Sequence, residues 1–272
     1  GEKLSAILLK PVADQIGDVA RVAIVPHGSL HFFPFSSLAL GSTPIVEKYA
    51  LFYLDSASVA KFVLSEGQGQ GFNAAAKVAA LTNPRRNNPQ EAALAFADRE
   101  GEVIGRYFPA RSQYSGSAAT VSQAADSAAR ADILHLGVHG EFRPTAPSES
   151  RLLLADAEGT DGALSVAEML TLPLNAKMVT LSACDSGLGR ITRGDEIVGM
   201  DRALFYAGAN TVVSSLWRVS DVANAVVMKR FYRYLAEGDD KANAMRKAQL
   251  VARRYFSHPV YWSSFKVSGD FH

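Results

Sequence analysis

Apolar runs rich in β-branched residues alternate along this chain with segments of helical period, and that alternation narrows the available folds more than any other feature. The runs are Val22–Val25, Ala50–Leu54, Val78–Leu81, Ile133–Val138, Val179–Ser182 and Thr211–Leu216. A shorter pair around Leu152–Leu154 suits a β-ribbon. Between them, helical patterns cover about Ser56–Ser65, Pro89–Tyr107, Val121–Arg130, Asp195–Ala207, Asp221–Glu237 and Asp239–Phe256. In the Asp221–Glu237 segment, Val227, Phe231, Tyr234 and Leu235 form one stripe with Arg230, Arg233 and Glu237 opposite. Strands separated by helices over this length predict an α/β fold, with a mainly parallel central sheet and helices on both faces. Runs that are apolar throughout predict strands buried on both faces. At 272 residues the chain can bury a sizeable core. No repeat and no second domain is marked off, so residues 1–272 read as one domain. Gly1 in place of Met suggests excision from a longer protein with an N-terminal regulatory region.

Charge and composition remove several functions. Lys and Arg number 28 against 27 Asp and Glu, so neither a nucleic-acid surface nor a polybasic membrane patch is expected. No apolar run approaches the roughly 18 residues of a membrane helix, and no secretory leader is visible. The expected compartment is cytoplasmic. Gly67, Gly69 and Gly71 lack the strand–turn–helix context of a dinucleotide fingerprint and read as a loop. No clustered carboxylate loop suggests calcium, and neither a cofactor nor a metal is expected. The single cysteine excludes an internal disulfide and a thiolate metal site. It is either a small buried apolar residue or a reactive thiol.

In an open α/β sheet, ligands bind beyond the carboxyl ends of the strands. Two expected strands end in reactive residues. One runs Ile133-Leu134-His135-Leu136-Gly137-Val138-His139-Gly140, the other Val179-Thr180-Leu181-Ser182-Ala183-Cys184-Asp185-Ser186-Gly187. If the two strands are neighbours, His139 and Cys184 face each other across one cleft. A thiol nucleophile needs a base to deprotonate it and an acid for the leaving amine, and imidazole serves as both near neutral pH. The backbone N–H groups of Gly140 and Cys184 could bind the oxyanion. His135, flanked by Leu134 and Leu136, reads as a satisfied core histidine or a support for a catalytic neighbour. His27 and His31 suit turn roles, and His258, before Pro259, a structural one.

Further segments accompany these strand ends in order along the chain. They are Val25-Pro26-His27-Gly28-Ser29-Leu30-His31-Phe32-Phe33-Pro34-Phe35, then Gly194-Asp195-Glu196-Ile197-Val198-Gly199 with Ala203-Leu204-Phe205-Tyr206-Ala207-Gly208-Ala209. Ser215-Leu216-Trp217-Arg218-Val219-Ser220-Asp221 and His258-Pro259-Val260-Tyr261-Trp262-Ser263-Ser264-Phe265 close the series. Taken together the chain resembles the CHAT family, whose members share the caspase/separase type of fold. The resemblance implies a cysteine endopeptidase with Cys184 as nucleophile, His139 as acid/base, and the amides of Gly140 and Cys184 as the oxyanion site. It implies a protein substrate, with Asp221 as the candidate for recognising a basic P1 side chain, Asp185 as a weaker one, and Trp217 as a wall of the substrate groove. It also implies a tetratricopeptide-type repeat or sensor module, in the same chain or a partner, and, among bacterial relatives, an effector role in defence or signalling.

Plainer readings stand beside these. Ser220 or Asp221 would make an ordinary N-cap, Asp185 could order its loop, and Trp217 could be a core residue. Arg193-Gly194-Asp195 matches an integrin tripeptide by chance, and Arg85-Arg86 reads as a solvated loop, with a processing site as the speculative alternative. The alternative function is a catalytically inactive caspase-like scaffold that binds protein partners. A serine hydrolase is disfavoured because no Gly-x-Ser-x-Gly elbow surrounds Ser182.

Overall fold

The computed structural model describes residues 2–58, 60–61, 71–88, 94, 96–141, 143, 146–182, 195–217 and 220–272. Its strands are β1 (Arg21–Ile24), β2 (Ala39–Leu40), β3 (Thr43–Pro44), β4 (Ala50–Tyr53), β5 (Val78–Pro84), β6 (Arg111–Gly116), β7 (Ile133–Gly137), β8 (His139–Glu141), β9 (Arg151–Leu153), β10 (Ala163–Ser165), β11 (Met178–Leu181), β12 (Thr211–Ser215) and β13 (Phe265–Gly269). Eight of them form the central sheet in the order β1-β4-β13-β12-β11-β7-β5-β6. From β12 to β6 every pairing is parallel. β13 runs antiparallel to β12 and parallel to β4, which pairs in parallel with β1. The sheet is therefore two parallel blocks of opposite direction that meet at β12 and β13.

The sheet is covered on both faces, as the unbroken apolar runs required. Successive side chains of a strand point to opposite faces. Leu134, Leu136, Val179, Leu181 and Val212 pack on one side with Ala124 and Ala128 of the Val121–Arg130 helix and Met200, Ala203 and Leu204 of the Asp195–Ala207 helix. Ile133, Met178 and Val213 pack on the other with Ile104 and Phe108, and with Val227, Phe231, Tyr232 and Leu235. Full burial of such aliphatic and aromatic side chains contributes about 1.5–3 kcal/mol each. A third cluster, with Phe35, Leu38, Tyr49 and Leu51, holds down the N-terminal segment.

Helix ends follow local chemistry. The Thr120 hydroxyl accepts from the Gln123 amide at 3.2 Å and starts the Val121–Arg130 helix. Asp240 does the same for the Lys241–Tyr255 helix, accepting from Asn243 at 2.9 Å. Each such cap is worth about 0.5–2 kcal/mol. The Asp221–Ala236 helix ends at Gly238, whose φ of +93° is a left-handed stop that a side chain would resist.

Several elements differ from expectation. The helix expected from Pro89 begins at Ala97, and Leu94 and Phe96 lie outside it; 89–93 and 95 fall outside the described residues. Of the expected helix Ser56–Ser65, residues 57–58 and 60–61 are helical and 59 and 62–65 are not described. β6 was missed because its sequence, RSQYSG, is polar, as an edge strand can be. β13 was missed because Lys266 and Ser268 interrupt its apolar run, yet all five of its residues are buried. The helices Glu2–Leu8, Ala13–Ile16, Ile45–Lys48 and Val166–Met169 are also additional. Among the described residues no helix is long and apolar enough to cross a membrane.

Candidate active site

Three adjacent parallel strands, β7, β11 and β12, deliver their carboxyl ends to one edge of the sheet. In the β7/β11 register His135 lies opposite Thr180 and Leu136 opposite Leu181, and the Ser182 amide extends the pairing by donating to the Leu136 carbonyl at 3.0 Å. Beyond β7 the chain leaves the sheet and enters a ribbon. There His139 pairs with Leu153 and Gly140 with Leu152 across β8 and β9, and β10 completes the three strands. Both His139 and Gly140 are buried. Outside them, Glu141 accepts from Arg151 Nε at 2.7 Å and from Arg143 at 3.3 Å, and Arg143 also reaches Glu149 at 2.8 Å. Burial works against the Glu141 charge, yet Arg151 and Arg143 together hold its carboxyl below the usual carboxylate range.

Cys184 and Asp185 lie outside the described residues. β11 ends at Leu181, and Ser182, the last described residue before them, is buried. Past β12, Trp217 is partly exposed and its indole N–H donates to the Val260 carbonyl at 3.0 Å. Asp221 is exposed in the first turn of the Asp221–Ala236 helix, and Ser220 takes the N-cap position without a side-chain capping bond. His27 and His258 open short 3₁₀ turns, His258 accepting from the Val260 amide at 3.3 Å. Among the described residues no group of three or more His, Cys, Asp or Glu side chains could hold a metal ion.

The structure adds a buried polar cluster directly beneath these strand ends. Glu100, on the Ala97–Tyr107 helix, is only 4% exposed. It accepts from Ser182 Oγ at 2.5 Å through Oε2 and from Asn224 Nδ2 at 2.6 Å through Oε1. Asn224 Nδ2 also donates to the Ser182 carbonyl and approaches Ser182 Oγ, each at 3.2 Å. The Tyr232 hydroxyl donates to Thr180 Oγ1 at 3.0 Å, so its lone pairs receive His135 Nδ1–H, also 3.0 Å away. His135 Nε2 then points toward Glu100 Oε2 at 3.3 Å, within ion-pair reach but off the hydrogen-bond direction. Burial pushes the Tyr232 hydroxyl above its ordinary range, with the Glu100 charge adding to the push and the Thr180 bond opposing it. His135 is thus a fully buried support for its surroundings.

A second buried pair anchors the Asp195–Ala207 helix. Asp201 lies 2.7 Å from Lys266 Nζ on β13 and accepts from Ser214 Oγ on β12 at 3.2 Å. Burial raises the Asp201 carboxyl above its ordinary value, and Lys266 opposes the rise. Glu100, Asn224, Asp201 and Lys266 escaped the reading of motifs. The available signal was indirect: polar residues at His135, Thr180, Ser182 and Lys266 inside buried strands require partners.

A mainly parallel sheet clothed by helices on both faces, with a His-Gly ribbon beside the strand that leads to the lone cysteine, is the caspase-like α/β architecture. It is shared with the separase of the Saccharomyces cerevisiae separase–securin complex, at a TM-score of 0.62 and 10% identity over 92% of this chain and 15% of that one. It is also shared with the Arg-specific cysteine proteinase gingipain R (RgpB), at a TM-score of 0.53 and 12% identity over 82% of this chain and 54% of that one. The chain belongs to the CHAT domain family, whose model matches residues 1–270. It is also similar to Tetratricopeptide repeat protein 28 of Mus musculus, 34% identical over 109 residues. That stretch is 39% of this chain and only 4% of the mouse protein.

Proposed function

We propose that this chain is a cysteine endopeptidase acting on a protein partner through Cys184 and His139. The observation that carries the reading is the register of β7 and β11: Leu136 lies opposite Leu181, and His139 and Cys184 each follow three positions later in the sequence. The fold shared with two proteases supports it, as does the burial of His139 and Gly140 in a braced ribbon.

In the proposed reaction His139 takes the Cys184 proton and the thiolate attacks the scissile carbonyl carbon, moving the C=O electron pair onto oxygen. The Gly140 and Cys184 amides hold that oxyanion, where loss of one donor typically costs about 10²–10³ in rate. Collapse breaks the C–N bond, and His139 gives its proton to the leaving amine. Water, deprotonated by His139, then cleaves the thioester, releases the carboxylic acid and restores the thiol. We assign recognition of a basic P1 side chain to Asp221, supported by its exposure after β12, with Asp185 as a further candidate and Trp217 as groove wall. A relative named for tetratricopeptide repeats supports control by a repeat or sensor module, and we further propose a role as regulated effector in bacterial defence or signalling. The test is labelling with an electrophilic peptidyl ketone carrying Arg at P1. Wild type should form a covalent adduct at Cys184 and His139→Gln should not; labelling that is indifferent to His139→Gln refutes the dyad.

A further inference from the structure

Glu100 sits about eighty positions upstream of the cysteine strand in sequence, yet its carboxylate touches the end of that strand. Both its oxygens are occupied: Oε2 by the Ser182 hydroxyl at 2.5 Å, Oε1 by the Asn224 amide at 2.6 Å. Asn224 closes the ring by donating to the Ser182 carbonyl at 3.2 Å. The ring therefore clamps Ser182, two residues before Cys184, by both its side chain and its backbone. On its β7 side the same carboxylate faces His135, four residues before His139. Three elements that carry no shared sequence motif, the Ala97–Tyr107 helix, the carboxyl end of β11 and the Asp221–Ala236 helix, meet at one group.

Stability alone does not account for such a residue. A carboxylate 4% exposed loses most of its hydration, and its nearest cationic candidate among the described residues is His135. Even buried ion pairs are often replaced by apolar side chains without loss of stability. A rigid, hydrogen-bonded support is, however, what a nucleophile and base need, because about 1 Å of misplacement can cost on the order of 10²-fold in rate.

We propose that Glu100 is a positioning residue for the Cys184–His139 dyad, its carboxylate locking the cysteine strand through Ser182 and Asn224 and facing the histidine strand through His135. This rests on the peptidase reading above. A well-placed imidazole should lower the thiol pKa below its free value of about 8.5, so the dyad's alignment can be read without any substrate.

The chain has one cysteine, so alkylation by iodoacetamide reports Cys184 without background. The rate would be followed across about pH 5 to 9 in wild type, Glu100→Gln, Ser182→Ala and His139→Gln, with circular dichroism as the fold control. Wild type should alkylate with a depressed apparent pKa that His139→Gln abolishes. Folded Glu100→Gln should move the profile toward that of His139→Gln, with a rate loss near pH 6.5 of about tenfold or more. Ser182→Ala should shift in the same direction, and it decides the matter if Glu100→Gln does not fold. A wild-type profile in whichever of these two variants folds overturns the positioning role while leaving the dyad standing. A wild type that already titrates like His139→Gln overturns the dyad reading and this inference with it.

Discussion

Removing the Lys266 ammonium should damage the protein through the carboxylate it leaves behind. Lys266 and Asp201 are 6% and 2% exposed at the side chain and 2.7 Å apart, and the Ser214 hydroxyl is the only other donor to Asp201 among the described residues. Lys266→Met keeps the aliphatic volume but strands Asp201 in the interior. Breaking a buried pair from one side costs about 3–5 kcal/mol. At roughly 2–4 °C per kcal/mol for a chain near this size, the melting temperature should fall by roughly 6–20 °C. The double variant Asp201→Asn/Lys266→Met removes both charges and should recover half or more of that loss. The pH dependence carries a sign. Burial already raises the Asp201 carboxyl above its ordinary value, with Lys266 opposing, and loss of Lys266 raises it further. An acid whose folded pKa is raised binds its proton more tightly when folded. The deficit of Lys266→Met is therefore full at neutral pH and shrinks as pH falls toward the ordinary aspartate value of about 4. Differential scanning fluorimetry across pH on the four members of the cycle checks this. A shift under about 1 °C for Lys266→Met, or a double variant no better than the single, would refute the reasoning.

Three further outcomes are expected. Asp221→Asn should cut cleavage after Arg or Lys relative to other residues while changing stability by no more than about 0.5 kcal/mol, since Asp221 is exposed; an unchanged P1 profile in a peptide library removes it from the pocket. Asp240 and Asp270 resist burial through Arg21 and the Asn243 amide in one case and Lys241 and His272 in the other, so both carboxyls titrate below their ordinary value. Their contribution is full above about pH 4 and lost as pH falls through the depressed folded values, so Asp270→Asn should flatten the acid limb of a melting-temperature profile. Gly162 has φ +64°, and a Cβ there would lie 2.6 Å from the Leu154 carbonyl oxygen. Gly162→Ala should destabilise by about 1 kcal/mol or more and loosen the β8-β9-β10 ribbon that carries His139, seen as slower labelling by the peptidyl probe at temperatures where the variant is still folded.

What the chain discloses in one dimension is set by whether the signal is local. The strands β4, β5, β7, β11 and β12 were legible because burial on both faces leaves an unbroken apolar run, and the helices Val121–Arg130 and Asp195–Ala207 because their stripes and ends are written within a dozen residues. β13 runs against that logic: Lys266 is buried and tolerated because Asp201, sixty-five positions earlier, meets it, and no window centred on β13 contains that partner. The candidate site divides the same way. His139 and Gly140 are recognisable because they follow directly on the apolar run of β7, a local event, although they open β8 rather than end a strand. The support beneath is not, since Glu100, His135, Ser182, Asn224 and Tyr232 come from four elements and become neighbours only when β7 and β11 pair and two helices pack on one face. Their sequence trace is a set of polar side chains in places where apolar ones would have served. Thr180 on β11 and Ser182 just beyond it alternate with Val179 and Leu181, and both are buried like them. A hydroxyl kept at such a position needs a partner, because leaving it unpaired costs about 1–3 kcal/mol. Each therefore signals a distant residue without naming it, and the packing of the Ala97–Tyr107 and Asp221–Ala236 helices against the sheet supplies Glu100 and Asn224 to Ser182 and Tyr232 to Thr180.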